Sequence, residues 1–208
     1  MEKAHKVALY WFRRAVRLTD NVSLTEAVQN SNHIVPVFIL DPAILTHSST
    51  GFTRTKFLFE ALADVDANLR RQGGRLIVRY GKPVEELERL VQETGASTLY
   101  FANEYEPYGR ERDEAVKKAM VKRGVTVITE NDHLLVEPPE ILSKAGTPYK
   151  VFTPYKRVWS EAHRRAERPA QRTAPDLADE VWRLQSRAGC RHSGNRSRGK
   201  TTSGPFYL

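Results

Sequence analysis

The sequence predicts an α/β protein with a Rossmann-like, doubly wound, five-stranded parallel sheet flanked by helices. Two observations carry this prediction: short apolar runs alternate with amphipathic helical runs from residue 6 to about residue 130, and Gly or Pro marks several boundaries between them. Strands that are apolar throughout are typical of a parallel sheet covered on both faces, and right-handed crossovers make such a sheet doubly wound. With 208 residues, of which 40% are hydrophobic, the chain can form one such domain plus an extension.

The first strand is predicted at Val7–Phe12, an uninterrupted apolar run. A Thr-Asp-Asn sequence then supplies helix caps, and the helix that follows is predicted at Asn21–Ser31, with apolar residues at helical spacing. The second strand is predicted at Ile34–Leu40, another run of Val, Ile, Leu and Phe.

The second helix is predicted at Thr53–Arg71 and is the longest in the chain. It ends before Gly73 and Gly74, since glycine is the residue most often found just past the end of a helix. The apolar face that we expect to cover the sheet consists of Phe57, Leu58, Leu62, Val65 and Leu69.

The remaining elements of the sheet domain continue the alternation. Strands are predicted at Leu76–Tyr80, Leu99–Ala102 and Val125–Thr129, and helices at Pro83–Thr94 and Gly109–Lys122. Proline opens the first of these helices and glycine follows the end of each.

Three domains or segments are therefore predicted. Residues 1–135 form the α/β domain, and residues 136–185 form a proline-rich segment, a helix at Tyr155–Glu167 and a linker with a short helical piece at Leu177–Leu184. Residues 186–208 are rich in Arg, Ser, Gly and Thr and are expected to be a disordered tail.

Charge is distributed unevenly along the chain. The tail holds five of the basic residues and no acid, which leaves +3 of the net charge of +8 for residues 1–185, so the high pI gives little support for nucleic-acid binding by the folded body. The lone Cys190 cannot form an internal disulfide, and neither a secretory signal nor an apolar run of membrane-spanning length is present. The sequence therefore predicts a cytoplasmic protein.

Catalytic and metal-binding patterns are not found. The six His residues are scattered without metal-ligand spacing, and no nucleophile–base pair or paired carboxylates stand out. Residues 194–201 match the phosphate-loop pattern, but no apolar strand precedes them, so we expect no nucleotide site there. We predict no catalytic residue and no metal site.

The first candidate binding segment is the arginine cluster after the first strand. Arg13, Arg14 and Arg17 follow Phe12 directly, and ligands of doubly wound sheets bind beyond the carboxyl ends of strands. The cluster thus indicates an anion or chromophore site. A solvated loop whose arginines pair with acids explains the same residues.

The second candidate segment follows the second strand. Phe38 and Leu40 end that strand, and Asp41 is held at the rim of the sheet because the residue before proline is extended. Asp41 also fits a simple turn or helix-capping role. Arg54 opens the long helix, where an arginine is more often a surface residue than a ligand contact.

The third candidate segment is residues 103–113, which link the fourth strand to a helix. Glu104 and Glu106 provide acceptors for ligand N–H or O–H groups beside a helix start. Helix capping and ion pairs on the helix surface are the alternative explanation. In a fourth segment, residues 146–159, aromatic and basic residues interleave; we interpret it as structural packing rather than base stacking.

These four segments resemble the DNA photolyase/cryptochrome family. The family resemblance covers roughly residues 6–185 and lies in Trp-Phe-Arg-Arg at residue 11, the strand ending in Asp-Pro at residue 41, Glu-Pro-Tyr-Gly-Arg at residue 106 and the Val-Phe-Thr-Pro motif at residue 151. One departure is Ala15, where the family usually has Asp.

The resemblance implies a light-harvesting domain whose antenna chromophore passes excitation to FAD. The residues it implies beside the chromophore are Arg13, Phe38, Leu40, Asp41, Arg54, Glu104 and Glu106. Members that bind a folate antenna carry Asn-Glu where this chain has Tyr108 and Gly109, so we expect 8-hydroxy-deazaflavin or FMN rather than folate.

The resemblance also implies that light-driven DNA repair, a C–C lyase reaction, belongs to a separate helical domain that holds FAD and flips damaged bases. The tail lacks the sequence pattern of that helical domain, so we expect a truncated chain without a FAD site. We expect this chain alone to be inactive in repair, and we expect DNA binding only from intact members of the family. The helical domain is the expected partner, in cis originally or in trans, and self-association through exposed apolar surface is a further expectation. Two alternatives stay open: a stand-alone flavin- or nucleotide-binding module, or an inert remnant that still folds.

Overall fold

The computed structural model describes residues 4–165 apart from 49, 133, 135 and 137–139. The predicted helical piece at Leu177–Leu184, the end of the predicted helix at Glu167, the loop at 194–201, Cys190 and the tail lie outside the described residues. The strands are β1 (His5–Phe12), β2 (Ser31–Leu40), β3 (Ile77–Tyr80), β4 (Thr98–Ala102) and β5 (Thr126–Glu130). The helices are α1 (Val22–Asn30), α2 (Pro42–Leu45), α3 (Phe52–Arg71), α4 (Pro83–Thr94), α5 (Pro107–Lys122) and α6 (Phe152–Arg165).

The five strands form one parallel sheet in the order β3-β2-β1-β4-β5, which confirms the predicted fold class. Helices α1 and α3 pack on one face and α4 and α5 pack on the other. The chain winds outward from β1 to β3 and then returns to the other side of β1 at β4. The direction of winding therefore reverses between β1 and β4, where ligands of such sheets bind.

Local sequence signals position the helices as predicted. The Asn21 side chain accepts a hydrogen bond from the Leu24 N–H at 3.0 Å and so caps α1. Helix α3 ends in a Schellman turn, in which Gly74 N–H donates to the Leu69 carbonyl and Gly73 adopts a positive φ of 78°. The glycine signal thus fixes where the chain leaves the helix and enters β3.

The predicted apolar face of α3 is correct for three residues and wrong for Phe57. Leu62, Val65 and Leu69 are buried and Leu58 is partly buried, whereas Phe57 is 71% exposed. The buried residues follow a spacing of four and three positions that starts at Leu58, and Phe57 lies about 100° away around the helix. Sequence periodicity could not distinguish Phe57 from Leu58.

Two further expectations need correction. Helix α2 was not predicted, because four residues are too few for a periodic signal. The segment at 146–159 was expected to pack against the core, but Val151 and Phe152 are exposed at the start of α6. Helix α6 itself begins three residues earlier than predicted.

Two features are absent from the described residues. None of the helices there combines the length with the apolar character needed to span a bilayer. The same residues contain no cluster of three or more His, Cys, Asp or Glu side chains that could hold a metal ion.

Candidate functional site

The carboxyl ends of β1, β2 and β4 lie side by side at one edge of the sheet, since β1 is between the other two strands. The segments that leave these ends carry Arg13, Asp41 and Glu104. The first turn of α3 is on the same edge, because a crossover helix runs antiparallel to the strands it connects. The topology therefore brings the predicted segments to one edge, at the point where the winding reverses.

Arg13 lies inside the protein at this edge. Its side chain is only 5% exposed, and its guanidinium donates to the Ala102 carbonyl at the end of β4 and to the carboxylate of Asp113 on α5. The Arg13 Cζ atom also lies 4.9 Å from the ring centroid of Trp11 and 4.7 Å from that of Phe101. Arg13 thereby links β1, β4 and α5 across the winding reversal.

Strand alternation explains this orientation. Arg13 comes two residues after Trp11 and points to the same face of the sheet, the face that α4 and α5 cover. Burial lowers the pKa of Arg13, and the hydrogen bond to Asp113 opposes that change.

Glu104 completes a buried ion-pair cluster of four residues. Its Oε1 atom lies 3.1 Å from Arg112 Nη2 and 3.7 Å from Arg13 Nε. Asp113 contacts both arginines, so two cations and two carboxylates neutralise each other away from solvent. We call Arg13, Glu104, Arg112 and Asp113 the ion-pair cluster.

Gly109 allows Glu104 to reach this position. A Cβ atom at residue 109 would lie 2.5 Å from Glu104 Oε2 and 2.8 Å from Glu104 Cβ. Any other residue at position 109 would therefore push Glu104 away from its arginines.

Sequence reasoning missed the role of Arg112 and Asp113, although one signal was available. The buried residues of α5 are Gly109, Asp113, Val116 and Met120. These positions follow the spacing of an apolar helix stripe, so an aspartate within the stripe predicts a buried ion pair. The observed ion pairs are buried and join distant segments, unlike the surface pairs along the helix that were the alternative explanation.

Arg14 and Glu106 form a second ion pair, at the protein surface. Arg14 Nη2 lies 2.6 Å from Glu106 Oε2, and the Arg14 side chain is 50% exposed. Arg14 Nε also lies 3.8 Å from Glu104 Oε2, a longer contact with the ion-pair cluster. The hydrogen bond between them lowers the pKa of Glu106 and raises the pKa of Arg14. Unlike the ion-pair cluster, this pair is accessible to a ligand from solvent.

Arg17 has a structural role. Its Nη2 atom lies 3.1 Å from the buried carboxylate of Asp132, which also accepts a hydrogen bond from the Val22 N–H at the start of α1. Arg17 therefore ties the loop after β1 to the segment after β5.

Asp41 caps α2, as its simpler explanation predicted. The residue is 5% exposed, and its Oδ1 atom accepts a hydrogen bond from the Ala43 N–H at 3.0 Å. Its Oδ2 atom accepts a hydrogen bond from the Tyr108 hydroxyl, which comes from the first turn of α5. Burial, followed by the interaction with Asp41, raises the pKa of Tyr108 to about 12.

This hydrogen bond passes over the end of β1, because β1 separates β2 from β4. The Tyr108 ring also lies near the Arg112 guanidinium, with 5.7 Å between Arg112 Cζ and the ring centroid. The Tyr108 ring thus lies against the Arg112 side of the ion-pair cluster.

The other predicted site residues are divided between the core and the surface. Phe38 and Leu40 are buried among the residues that α1 and α3 cover, on the opposite face of the sheet from Arg13. Arg54 is exposed in the first turn of α3. We call the solvent-accessible residues Arg14, Arg54, Glu106 and Tyr108 the outer rim.

A sequence model described as DNA photolyase matches residues 8–176. The chain is 34% identical over 177 residues to the deoxyribodipyrimidine photo-lyase of Agrobacterium fabrum, covering 84% of this chain and 36% of that protein. It is 40% identical over 139 residues to cryptochrome-1 of Spalax judaei, covering 67% of this chain and 24% of the relative.

Solved structures give the same result. The class III photolyase of Agrobacterium tumefaciens aligns with a TM-score of 0.72 at 29% identity, covering 88% of this chain and 36% of that structure. The archaeal photolyase of Sulfolobus tokodaii, described with two FAD molecules and a novel light-harvesting cofactor, aligns with a TM-score of 0.63 at 26% identity, covering 76% and 35%. The chain spans about a quarter to a third of the length of such relatives. The match across most of its own residues shows that the chain belongs to the DNA photolyase family.

Proposed function

We propose that this chain forms the light-harvesting domain of a photolyase or cryptochrome-like protein and holds an antenna chromophore at the outer rim. The observation that carries the proposal is the convergence of the segments after β1, β2 and β4 where the winding reverses. In doubly wound sheets this is the place where ligands bind. The second flavin described for the Sulfolobus tokodaii relative supports a flavin-type antenna.

The residues at this edge fit a planar heteroaromatic group. Arg14 and Arg54 supply cations for a phosphate or a ring oxygen, and Glu106 and Asp41 supply acceptors for N–H groups. Phe38 and Leu40 are buried under α1 and α3, so in this proposal they support the end of β2 that carries Asp41. The donor set is therefore mixed, as expected for a ring system with an apolar body and polar edges.

Arg13 and Glu104 have a different part in this proposal. Their side chains are already paired inside the ion-pair cluster, so they position the loops that carry the outer rim. When bound, the chromophore would supply absorption of near-ultraviolet or blue light. The chain's own residues bind it, orient it and exclude water from its buried edge.

The antenna proposed is 8-hydroxy-deazaflavin or FMN rather than folate. The family resemblance supports this choice, since folate-binding members carry Asn-Glu at the positions of Tyr108 and Gly109. In this chain a glutamate at position 109 would bring a Cβ atom to 2.5 Å from Glu104 Oε2, which accounts for the glycine there but not for the choice of antenna. The ion-pair cluster therefore disfavours a side chain at position 109.

We assign FAD binding and DNA repair to the helical domain that the resemblance implies, linked in cis or supplied as a separate subunit. In this proposal residues 1–208 do not repair DNA on their own. Exposed Phe52, Phe57 and Phe152 offer apolar surface for that domain or for a second copy of the chain. We further propose the domain limits 1–135, 136–185 and 186–208 and a reducing, cytoplasmic location, which suits the lone Cys190.

The proposal is tested by purifying the full chain under native conditions and titrating it with FMN and with 8-hydroxy-5-deazaflavin. We expect saturable binding of at least one of them, or a bound blue-light absorber after purification. A colourless protein that binds neither compound would overturn the proposal and favour an inert remnant. Repair of a cyclobutane dimer by the chain alone would overturn the assignment of repair to another domain.

A further inference from the structure

The Asp41–Tyr108 contact joins two groups of very different exposure. Asp41 is 5% exposed and has a donor on each carboxylate oxygen, whereas Tyr108 is 44% exposed. The donor at Oδ1 is the backbone of α2 and is fixed, but the donor at Oδ2 is a side chain at the surface. The hydroxyl can therefore leave Oδ2 without disturbing the helix cap.

We propose that Tyr108 determines ligand specificity at this edge, because its hydroxyl occupies the acceptor on Asp41 that the N–H donor of a planar ligand takes on binding. The inference rests on the proposed function and deepens it. The ligand class is a planar heteroaromatic ring with an N–H donor in its plane, such as the imide of a flavin or deazaflavin.

The other carboxylates at this edge are less suitable acceptors. Glu104 and Asp113 are held by the arginines of the ion-pair cluster, and a ligand N–H that displaced an arginine would separate two opposite buried charges. Glu106 is exposed, so its bonds compete with water. Asp41 alone among the described acids of this edge combines burial with a neutral donor on a surface side chain.

Buried acceptors discriminate strongly between ligands. A ligand that displaces Tyr108 but offers no N–H would leave Oδ2 without a donor, and an unsatisfied buried acceptor is unfavourable. A ligand that donates an N–H restores the hydrogen bond, and Tyr108 swings outward to the side of the bound ring. The tyrosine thus excludes planar rings that lack the donor.

The test compares riboflavin with 3-methylriboflavin, in which a methyl group replaces the N3 hydrogen. Binding to the full chain is measured by quenching of flavin fluorescence. We expect riboflavin to bind about tenfold more tightly than the methylated compound, the size expected for one satisfied buried hydrogen bond. This comparison needs no mutation, so it does not depend on whether a variant folds.

Tyr108→Phe removes the competing hydroxyl and keeps the ring. We expect this variant to bind riboflavin about tenfold more tightly than the unmodified chain, since the ligand no longer displaces a hydrogen bond. The matched control is Tyr105→Phe, because the Tyr105 hydroxyl donates to Asn131 Oδ1 at 3.2 Å, in the segment after β5. Its affinity for riboflavin should be unchanged.

The possible results separate the role of Tyr108 from the proposed function. Equal affinities for the two flavins, or no difference between Tyr108→Phe and Tyr105→Phe, would overturn the role of Tyr108 while the proposed function stands. Weaker binding by Tyr108→Phe would also overturn it, since the hydroxyl would then be a ligand contact. If riboflavin, FMN and the deazaflavin all fail to bind, the proposed function fails and the inference fails with it.

Discussion

The ion-pair cluster and the outer rim contain the same kinds of side chain in different surroundings. Arg13 and Arg14 are neighbours in sequence, and each pairs with a glutamate of the segment after β4. The Arg13 side chain is buried and also bonds a strand carbonyl, whereas that of Arg14 is half exposed. Arg13 extends toward α5, where Asp113 accepts its hydrogen bond, whereas Arg14 extends to the exposed Glu106. Burial, rather than residue type, separates the arginine that stabilises the fold from the one available to a ligand.

The largest difference in stability is expected between variants that remove Arg13 from the ion-pair cluster and Arg14 from the outer rim. Arg13→Ala leaves Glu104 and Asp113 with fewer cations in a buried setting, and breaking a buried pair costs about 3–5 kcal/mol. Arg14→Ala removes the surface pair with Glu106, worth about 0–1 kcal/mol, and a longer contact with Glu104, which keeps Arg13 and Arg112 as partners, so the loss should be smaller than for Arg13→Ala. The measurement is the free energy of unfolding in urea. Equal losses for the two variants would contradict the distinction between the cluster and the rim.

A smaller loss of stability is expected when the close approach of Gly109 to Glu104 is blocked. Gly109→Ala places a Cβ atom against Glu104, and overpacking of this kind costs about 1–3 kcal/mol. The control is Gly51→Ala, because a Cβ at residue 51 meets nothing within 4 Å. Both variants are compared by thermal and urea unfolding. A Gly109→Ala protein as stable as the Gly51→Ala protein would show that Glu104 moves freely.

The third prediction concerns Tyr108, which links the rim to Asp41. Its pKa of about 12 in the folded protein lies above the ordinary value of 10.0, so the folded state holds this proton more tightly than the unfolded state. The associated stability is fully present below pH 10 and is lost as pH rises from about 10 to 12. Tyr108→Phe should therefore lose less stability across this interval than the unmodified chain, measured by urea unfolding at several pH values. Parallel curves for the two proteins would contradict the hydrogen bond between the Tyr108 hydroxyl and Asp41.

The smallest effect is expected for Glu106→Gln at the rim. The Arg14 guanidinium lowers the pKa of Glu106, so this pair stabilises the protein above the ordinary glutamate pKa and stops doing so as pH falls through the lowered value. Because the group is fully exposed, we expect no measurable change in the urea midpoint at neutral pH, with or without added salt. A clear shift would mean that Glu106 belongs with the buried cluster.

The sequence was sufficient for the fold but only partly for the site. Apolar runs and glycine signals placed all five strands, because a parallel sheet buried on both faces leaves a continuous apolar pattern. The same pattern could not separate Arg13 from Arg14, since both follow the strand directly and their burial depends on contacts with α5 and the segment after β4. Phe57 was misplaced for a similar reason, as one residue of shift around a helix changes burial but hardly changes periodicity.

The Tyr108–Asp41 hydrogen bond was beyond sequence reasoning. Its two residues are 67 positions apart, and they meet because β2 and β4 flank β1 in the sheet. Strand order is a tertiary property that local propensity does not encode. Asp113, in contrast, could have been recognised from its place in the buried stripe of α5.

The central claim is that a chromophore binds at the outer rim, outside the ion-pair cluster. The most direct test is titration of FMN and of 8-hydroxy-5-deazaflavin into Arg54→Ala and Arg71→Ala, two variants that each remove an exposed arginine from one end of α3. The account predicts that Arg54→Ala weakens binding about tenfold or more, as expected for loss of one charged hydrogen bond, while Arg71→Ala binds like the unmodified chain. Equal affinities of both variants and the unmodified chain would contradict the claim.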